Sequence, residues 1–319
     1  MIKHEISSLA AREVWSLLDR TGFAVSRLRE LELAVYGLTI EQASLLYFLS
    51  TAENLTATSA ELESCTMRQH HSISVLSAGM AAAGLLQKIK SPASKRLKIV
   101  MTPYGLTTYQ KTTAASLKES FAALNGAEWQ LLNNIMILLL RRARTLLGLP
   151  EDSARCGDSH SFLHDSWVLL DRTRFAISRL RSLELARFGL TIEQTSILHI
   201  TSKNNEIVTS RELENLTMRR QHSISSLLKG MTGLGLVSRE KNEGEKRSRI
   251  LITKTGRKLY QSLTFDSLES VFSVLSQAEK QNLTALLERL LARARYLLGI
   301  SYKPPFMQYL VEDHPKLTV

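Results

Sequence analysis

The chain has 319 residues, of which 44% are hydrophobic and 22% charged, with a net charge of +11 and two cysteines. This length suffices for two domains of ordinary size, each with its own core. Two cysteines exclude a disulfide framework, the longest strongly apolar run (Ile135 to Leu140) is too short to span a bilayer, and the N-terminal residues lack a signal-peptide core, so a soluble, cytoplasmic protein without a membrane partner is expected.

The basic excess is shared between the halves. Residues 1–150 carry 16 Lys and Arg against 11 Asp and Glu, and the remainder 25 against 19. Such a balance favours a polyanionic partner. The halves also repeat one another. WSLLDRTGFAVSRLRELELA, from Trp15, returns from Trp167 as WVLLDRTRFAISRLRSLELA, with 16 of 20 positions identical. GLTIEQ recurs at Gly37 and Gly189, HSIS at His71 and His222, and RAR-x-LLG at Arg142 and Arg293. The offset is 152 residues at Trp15/Trp167 and 151 by Glu61/Glu212, far longer than a solenoid period, and indicates a domain duplication.

In chain order, a first long helix is predicted from about Ser8 to Tyr36 and from about Phe162 to Phe188. Capping boxes at Thr39…Gln42 and Thr191…Gln194 start a second helix, and Thr58…Glu61 and Thr209…Glu212 start a third after a short extended piece. A fourth is predicted to begin at Thr66 and Thr217, with Ile73, Leu76 and Met80 (Ile224, Leu227 and Met231) facing inward and Gly84 or Gly235 closing it. Short β-rich runs, Leu85–Lys90 with Leu97–Met101 and Leu236–Lys241 with Ser248–Ile252, flank polar, basic tips and predict hairpins. Thr102 and Thr253 start a further helix, and Asn125…Glu128 and Ser276…Glu279 a last one. That last helix has an apolar stripe of Leu283, Leu286, Leu287, Leu290, Leu291, Ala294, Leu297 and Leu298, wide enough to pair with another helix. The division expected is a first domain at 1–148, a linker at 149–162, a second domain at 163–300 and a tail at 301–319.

This order of elements is a winged helix-turn-helix with extra helices on either side. The sequence resembles the MarR family of transcription regulators twice, over roughly residues 10–148 and 163–299. The resemblance rests on LLDRT-x-FA-x-SRLR, GLT-x-EQ, T-x-R-x-x-HS-x-S, GM-x-x-x-GL and a basic wing leading to T-x-x-G. The fold class it implies is mainly α with small β wings: two MarR-like domains plus a shared helical dimerisation region. Family members pair as homodimers, so the resemblance implies a fused pseudo-dimer, monomeric as a chain. It further implies a regulator of double-stranded DNA, in this case a repressor.

The residues support a DNA reading in their own right. The fourth helix and its approach show Arg68, Gln69, His71, Ser72, Ser74 and Val75 in the first copy, and Arg219, Arg220, His222, Ser223, Ser225 and Ser226 in the second. These side chains donate to phosphates or base edges, and no acid occurs from Thr66 to Met80. The alternative is an ordinary solvated helix face. The wings offer Lys95, Arg96 and Lys98, and Lys246, Arg247 and Arg249, alternatively read as solubilising hairpin tips. The family's wing arginine aligns best with Arg96 and Arg247, although the acid that precedes it in the family is Ser94 or Glu245 here. The copies differ where DNA would be read: Gln69-His70 becomes Arg220-Gln221, Val75 becomes Ser226 and Ala78 becomes Lys229. An imperfect palindrome, with half-sites about one helical turn apart, is the operator such a chain suits. The alternative function is a protein-docking module built on winged helices.

The resemblance also implies a small-molecule effector pocket between helical region and winged helix. Trp15, Arg20, Phe23, Tyr36 and Tyr47 lie on elements that would line it, and are otherwise core aromatics and their neighbours. The paired Asp19-Arg20 and Asp171-Arg172 are read as structural ion pairs, Cys65 as a small buried apolar residue, and His160 with His164 as surface residues. No catalytic constellation, phosphate loop or metal-ligand spacing occurs, so neither enzyme activity nor a cofactor is expected.

Overall fold

Hydroxyl and amide caps set where the helices begin. The computed structural model describes residues 2–90, 97–149, 162–203, 208–240 and 248–300. In the first copy, α1 (Ile2–Ala34) is followed by α2 (Ile40–Thr51), β1 (Thr56–Thr58), α3 (Ser59–Thr66), α4 (His70–Ala82), β2 (Leu86–Lys90), β3 (Leu97–Met101), α5 (Pro103–Lys111), α6 (Ala115–Phe121) and α7 (Gly126–Leu146). The second copy repeats the series as α8 (Phe162–Leu185), α9 (Ile192–Lys203), β4 (Val208–Thr209), α10 (Ser210–Thr217), α11 (Gln221–Gly233), β5 (Val237–Glu240), β6 (Arg249–Ile252), α12 (Lys254–Gln261), α13 (Asp266–Phe272) and α14 (Gln277–Leu297). Thr39, Thr58, Asn125 and Thr209 close full capping boxes, as their sequence spacing predicts. The short α6 and α13 carry no such box and were not legible as separate helices.

The strands form two antiparallel three-stranded sheets, ordered β1-β3-β2 and β4-β6-β5. In each copy the junction of helix and wing is pinned by one threonine. Thr102 Oγ1 donates 2.7 Å to Gly84 O and accepts 2.9 Å from Gly105 N, so it closes the end of α4 and opens α5 together. Thr253 repeats this with Gly235 and Gly256. Gly84 adopts φ 75°, and Leu85 N donates 3.0 Å back to Met80 O, a helix stop that suits a residue without a Cβ.

By packing, the residues fall into two compact units. One comprises Met1–Leu183 with Phe265–Ala294, and the other Glu184–Thr264 with the residues from Arg295. The first thus joins the winged helix of copy one to long helices of both copies. There each copy's first helix packs on the other copy's last: Thr21 Oγ1 on α1 donates 3.2 Å to Leu287 O on α14, and Thr173 Oγ1 on α8 donates 3.3 Å to Met136 O on α7. The stripe of Leu283, Leu286, Leu287, Leu290, Leu291 and Ala294 is buried. Arg142 Nε donates 3.0 Å to Ser270 O, and its counterpart Arg293 Nε 3.0 Å to Glu119 O. The second unit holds the winged helix of copy two, with Ile224, Leu228 and Met231 of α11 in its core.

A Cβ on Gly105 would lie 2.1 Å from Leu85 O. Gly105→Ala should therefore destabilise the first unit by about 1–3 kcal/mol, measured by denaturant unfolding.

Candidate nucleic-acid interface

The fourth helix begins later than its sequence suggests. Thr66 and Thr217 are not helix starts but the last residues of α3 and α10. Thr66 Oγ1 donates 2.6 Å back to Leu62 O, and Thr217 Oγ1 2.6 Å to Leu213 O. Met67 and Met218 then take φ 59° and 60°, turning the chain before Gln69 and Arg220 open the next helices. A threonine bonded to its own helix competes with the cap that its position in the sequence would offer. The inward stripes shift as well: Ile73, Ser77 and Met80 are buried in α4, and Ile224, Leu228 and Met231 in α11, while Leu76 and Leu227 lie at the flank.

The opposite faces are open. Gln69, His71, Ser72, Ser74 and Val75 are exposed, Val75 at 59%, and so are Arg220, His222, Ser225 and Ser226, with Ser223 half-buried. Neither helix has a side-chain cap or an acid in its first turn. Their leading N–H groups therefore face outward beside hydroxyl and imidazole groups. His70 points back, its Nδ1 2.5 Å from Glu63 Oε1.

Arg68 and Arg219 lie in the turns before these helices and are half-buried. Arg68 reaches Glu41 at 3.4 Å and stacks 4.8 Å from the Phe175 ring, and Arg219 reaches Glu193 at 3.1 Å. Both thus anchor the turn to the helix that follows the first. Lys98 is exposed on β3, opposite Thr58 and Ile89, and Arg249 is half-buried on β6, opposite Thr209 and Glu240. Lys95, Arg96, Lys246 and Arg247, with Ser94 and Glu245, lie outside the described residues, as do Cys156 and His160.

Of the residues placed near an effector pocket, Trp15 and Tyr47 are buried, and Arg20, Phe23 and Tyr36 half-buried. Phe23 lies under the Arg174 guanidinium at 4.6 Å, and the Tyr47 hydroxyl donates to Asp165. Asp19 and Asp171 are held by Arg174, whose partners residue spacing alone does not reveal. Cys65 is half-buried, not enclosed. Among the described residues no group of His, Cys, Asp and Glu is placed to hold a metal ion, and no helix is long and apolar enough to cross a membrane.

One polar cluster has no signature in local residue spacing. The fully buried Arg29 contacts Glu32 at 2.7 Å and the Thr113 carbonyl, and its Nη2 lies 3.2 Å from His164 Nε2. His164 is thus packed against a cation and not a surface residue. Burial, then the Arg29 charge, push its pKa from 6.5 down to about 4, against the opposing pull of Asp165 and Glu32. Nearby, burial raises the Tyr109 hydroxyl to about 12. Glu32 is penalised by burial, but bonds from Ser116, Thr113 and Arg29 outweigh this and hold its carboxyl low. The repeat offered one clue, because Arg29 recurs as Arg181 on an otherwise apolar face.

Each copy is therefore a winged helix-turn-helix: three helices, a short strand and a two-stranded wing, flanked by longer helices. The MarR family model matches residues 36–97 and 188–248, one stretch in each copy. None of the curated proteins compared matches it. Among solved structures, the MepR–DNA complex of S. aureus is similar at 22% identity and TM-score 0.38, over 42% of this chain and 98% of that one. MepR described as a regulator of the multidrug efflux pump MepA gives 25% and 0.29, over 36% and 88%. A MarR-family transcriptional regulator from Rhodococcus sp. RHA1 gives 20% and 0.31, over 50% and 96%.

A histidine kept neutral in the folded state loses ground when the unfolded chain can protonate it. Stability should fall as pH drops from 6.5 toward about 4, while the Glu32 contribution is lost only below the ordinary carboxylate value of 4.5. His164→Gln should flatten the melting-temperature profile between pH 6.5 and 4.5, read by thermal scans at stepped pH.

Proposed function

We propose that the chain is a transcription regulator, acting as a repressor, that binds double-stranded DNA through two non-identical winged helices. The observation that carries this reading is the open, acid-free leading turn of both α4 and α11, lined by Gln69, His71, Ser72 and Ser74 or by Arg220, His222, Ser223 and Ser225. Free N–H groups at a helix start receive phosphate, and the side chains beside them reach phosphates or base edges. The two MarR-family matches support the same class of partner.

In this reading 1–148 and 163–300 are the two domains, 149–162 the linker and 301–319 a tail, and the helices of both copies make an intramolecular pseudo-dimer. Wing contacts come from Lys98 and Arg249 with Lys95, Arg96, Lys246 and Arg247. Arg68 and Arg219 hold the reading helices in place and meet the duplex only through their exposed edges. The operator is pseudo-palindromic. Exposed Val75 suits a thymine methyl, whereas Ser226, Arg220 and Lys229 give the second face hydrogen-bonding and cationic groups in place of apolar or neutral ones. A small ligand acting through Trp15, Arg20, Phe23, Tyr36 and Tyr47 would have to part groups that already touch protein, and that is how it would change the helical unit.

Gel shifts with the DNA upstream of its own gene should show retardation that falls steeply with salt. Lys229→Ala should weaken binding about equally across sequences and reduce the salt slope by about 1. A chain that retards no duplex at low salt would overturn the proposal and leave its winged helices as protein-docking surfaces. Footprinting that favours a perfect palindrome would remove the asymmetric operator alone.

A further inference from the structure

Where α1 meets α8, three aligned positions decide the contact. Asp19 corresponds to Asp171 and Phe23 to Phe175, but Gly22 corresponds to Arg174. Arg174 is 8% exposed, with Nη1 3.5 Å from Asp19 Oδ1 and Nη2 3.0 Å from Asp171 Oδ1. Its guanidinium carbon lies 4.6 Å from the Phe23 ring and 4.7 Å from the Phe175 ring. One cation therefore serves a carboxylate and a ring from each copy. All six residues belong to the first compact unit.

Gly22 supplies the space. A Cβ there would lie 2.6 Å from Arg174 Cδ and 3.0 Å from its Nε. Arg174 cannot swing aside without releasing the carboxylates that compensate its buried charge. Both like-with-like contacts fail, for different reasons. Two second-copy faces would bring two arginines into a slot sized for one. Two first-copy faces would leave two carboxylates facing a void with no cation between them. Glycine within a long helix is otherwise unfavourable, so the close approach accounts for its presence.

We propose that Gly22 and Arg174 form a mixed-pair lock, by which the α1 face accepts only an α8-type face and each helical unit is built from one copy of each kind. The lock forbids pairing of two first copies or two second copies between chains. Every assembled unit then contains both kinds of winged helix, whatever ligand those helices bind.

The test uses the full chain in four forms: unchanged, Gly22→Arg, Arg174→Gly, and the reciprocal swap carrying both substitutions. Each single variant should lower the thermal midpoint by on the order of 10 °C, or fail to fold. The swap rebuilds the same site with its partners exchanged, and should recover most of the loss, melting within a few degrees of the unchanged chain. A swap that folds this well supports the lock even where the singles are insoluble. A swap as unstable as the two single losses added, or unfolded, overturns it. So do single variants that melt with the unchanged chain. Light scattering on the swap should give the same mass as the unchanged chain, and a new like-with-like dimer in that variant would also count against the lock.

Discussion

A guanidinium removed from water must be compensated where it lies, and the helical unit of this protein is organised around that requirement at Arg174. Burial alone would lower its pKa; Asp171 and Asp19 reverse the balance and hold it above its ordinary value. The two rings beside it are apolar enough to bury and electron-rich enough to attract a cation. The helices that supply these groups come from both copies, so compensating the charge also fixes how α1 and α8 meet. Oγ1 bonds of Thr21 and Thr173 to the last helix of the opposite copy repeat the same exchange in neutral form.

From this core, contacts lead outward to α4. Phe175 carries Arg174 at 4.7 Å and Arg68 at 4.8 Å, and Arg68 in turn pairs with Glu41 at the start of α2. The turn before α4 is thereby attached to the helical unit by stacked charge and ring. Thr102 does the equivalent work at the far end of α4, tying the helix stop to the wing. A helix fixed at both ends presents its outer side chains in a defined direction, which the proposed groove reading would require.

Arg29 adds a second buried cation, held through its Nη atoms by Glu32, the Thr113 carbonyl and His164. Its counterpart Arg181 is also buried and stacks 4.4 Å from Phe265. The copies therefore keep the arginine and change what surrounds it. Duplication within one chain permits this, because each copy can vary without altering the other.

Much of the fold is local, and local structure was legible. Capping boxes, helix-stopping glycines, Thr-Pro and hairpin flanks each involve residues a few positions apart, and they appear where their spacing places them. Structure departs from local pattern where a residue has a competing use. Thr66 has the composition of a cap but bonds to its own helix, so α4 starts at His70 and its inward stripe passes through Ser77 instead of Leu76. Likewise, α6 and α13 are too short to show a period. The exposed outer faces of α4 and α11 were visible as a run of donors free of acid, but the half-burial of Arg68 and Arg219 was not, since Glu41, Phe175 and Glu193 lie far from them in sequence. What the sequence determined by itself was two copies of a winged helix and the chemistry of their outer faces, because propensity, capping and periodicity act over one or two turns. Which arginine occupies the crossing of the long helices, and that His164 is packed against Arg29, was settled only by tertiary structure, because burial and charge compensation depend on groups brought together from more than a hundred residues apart.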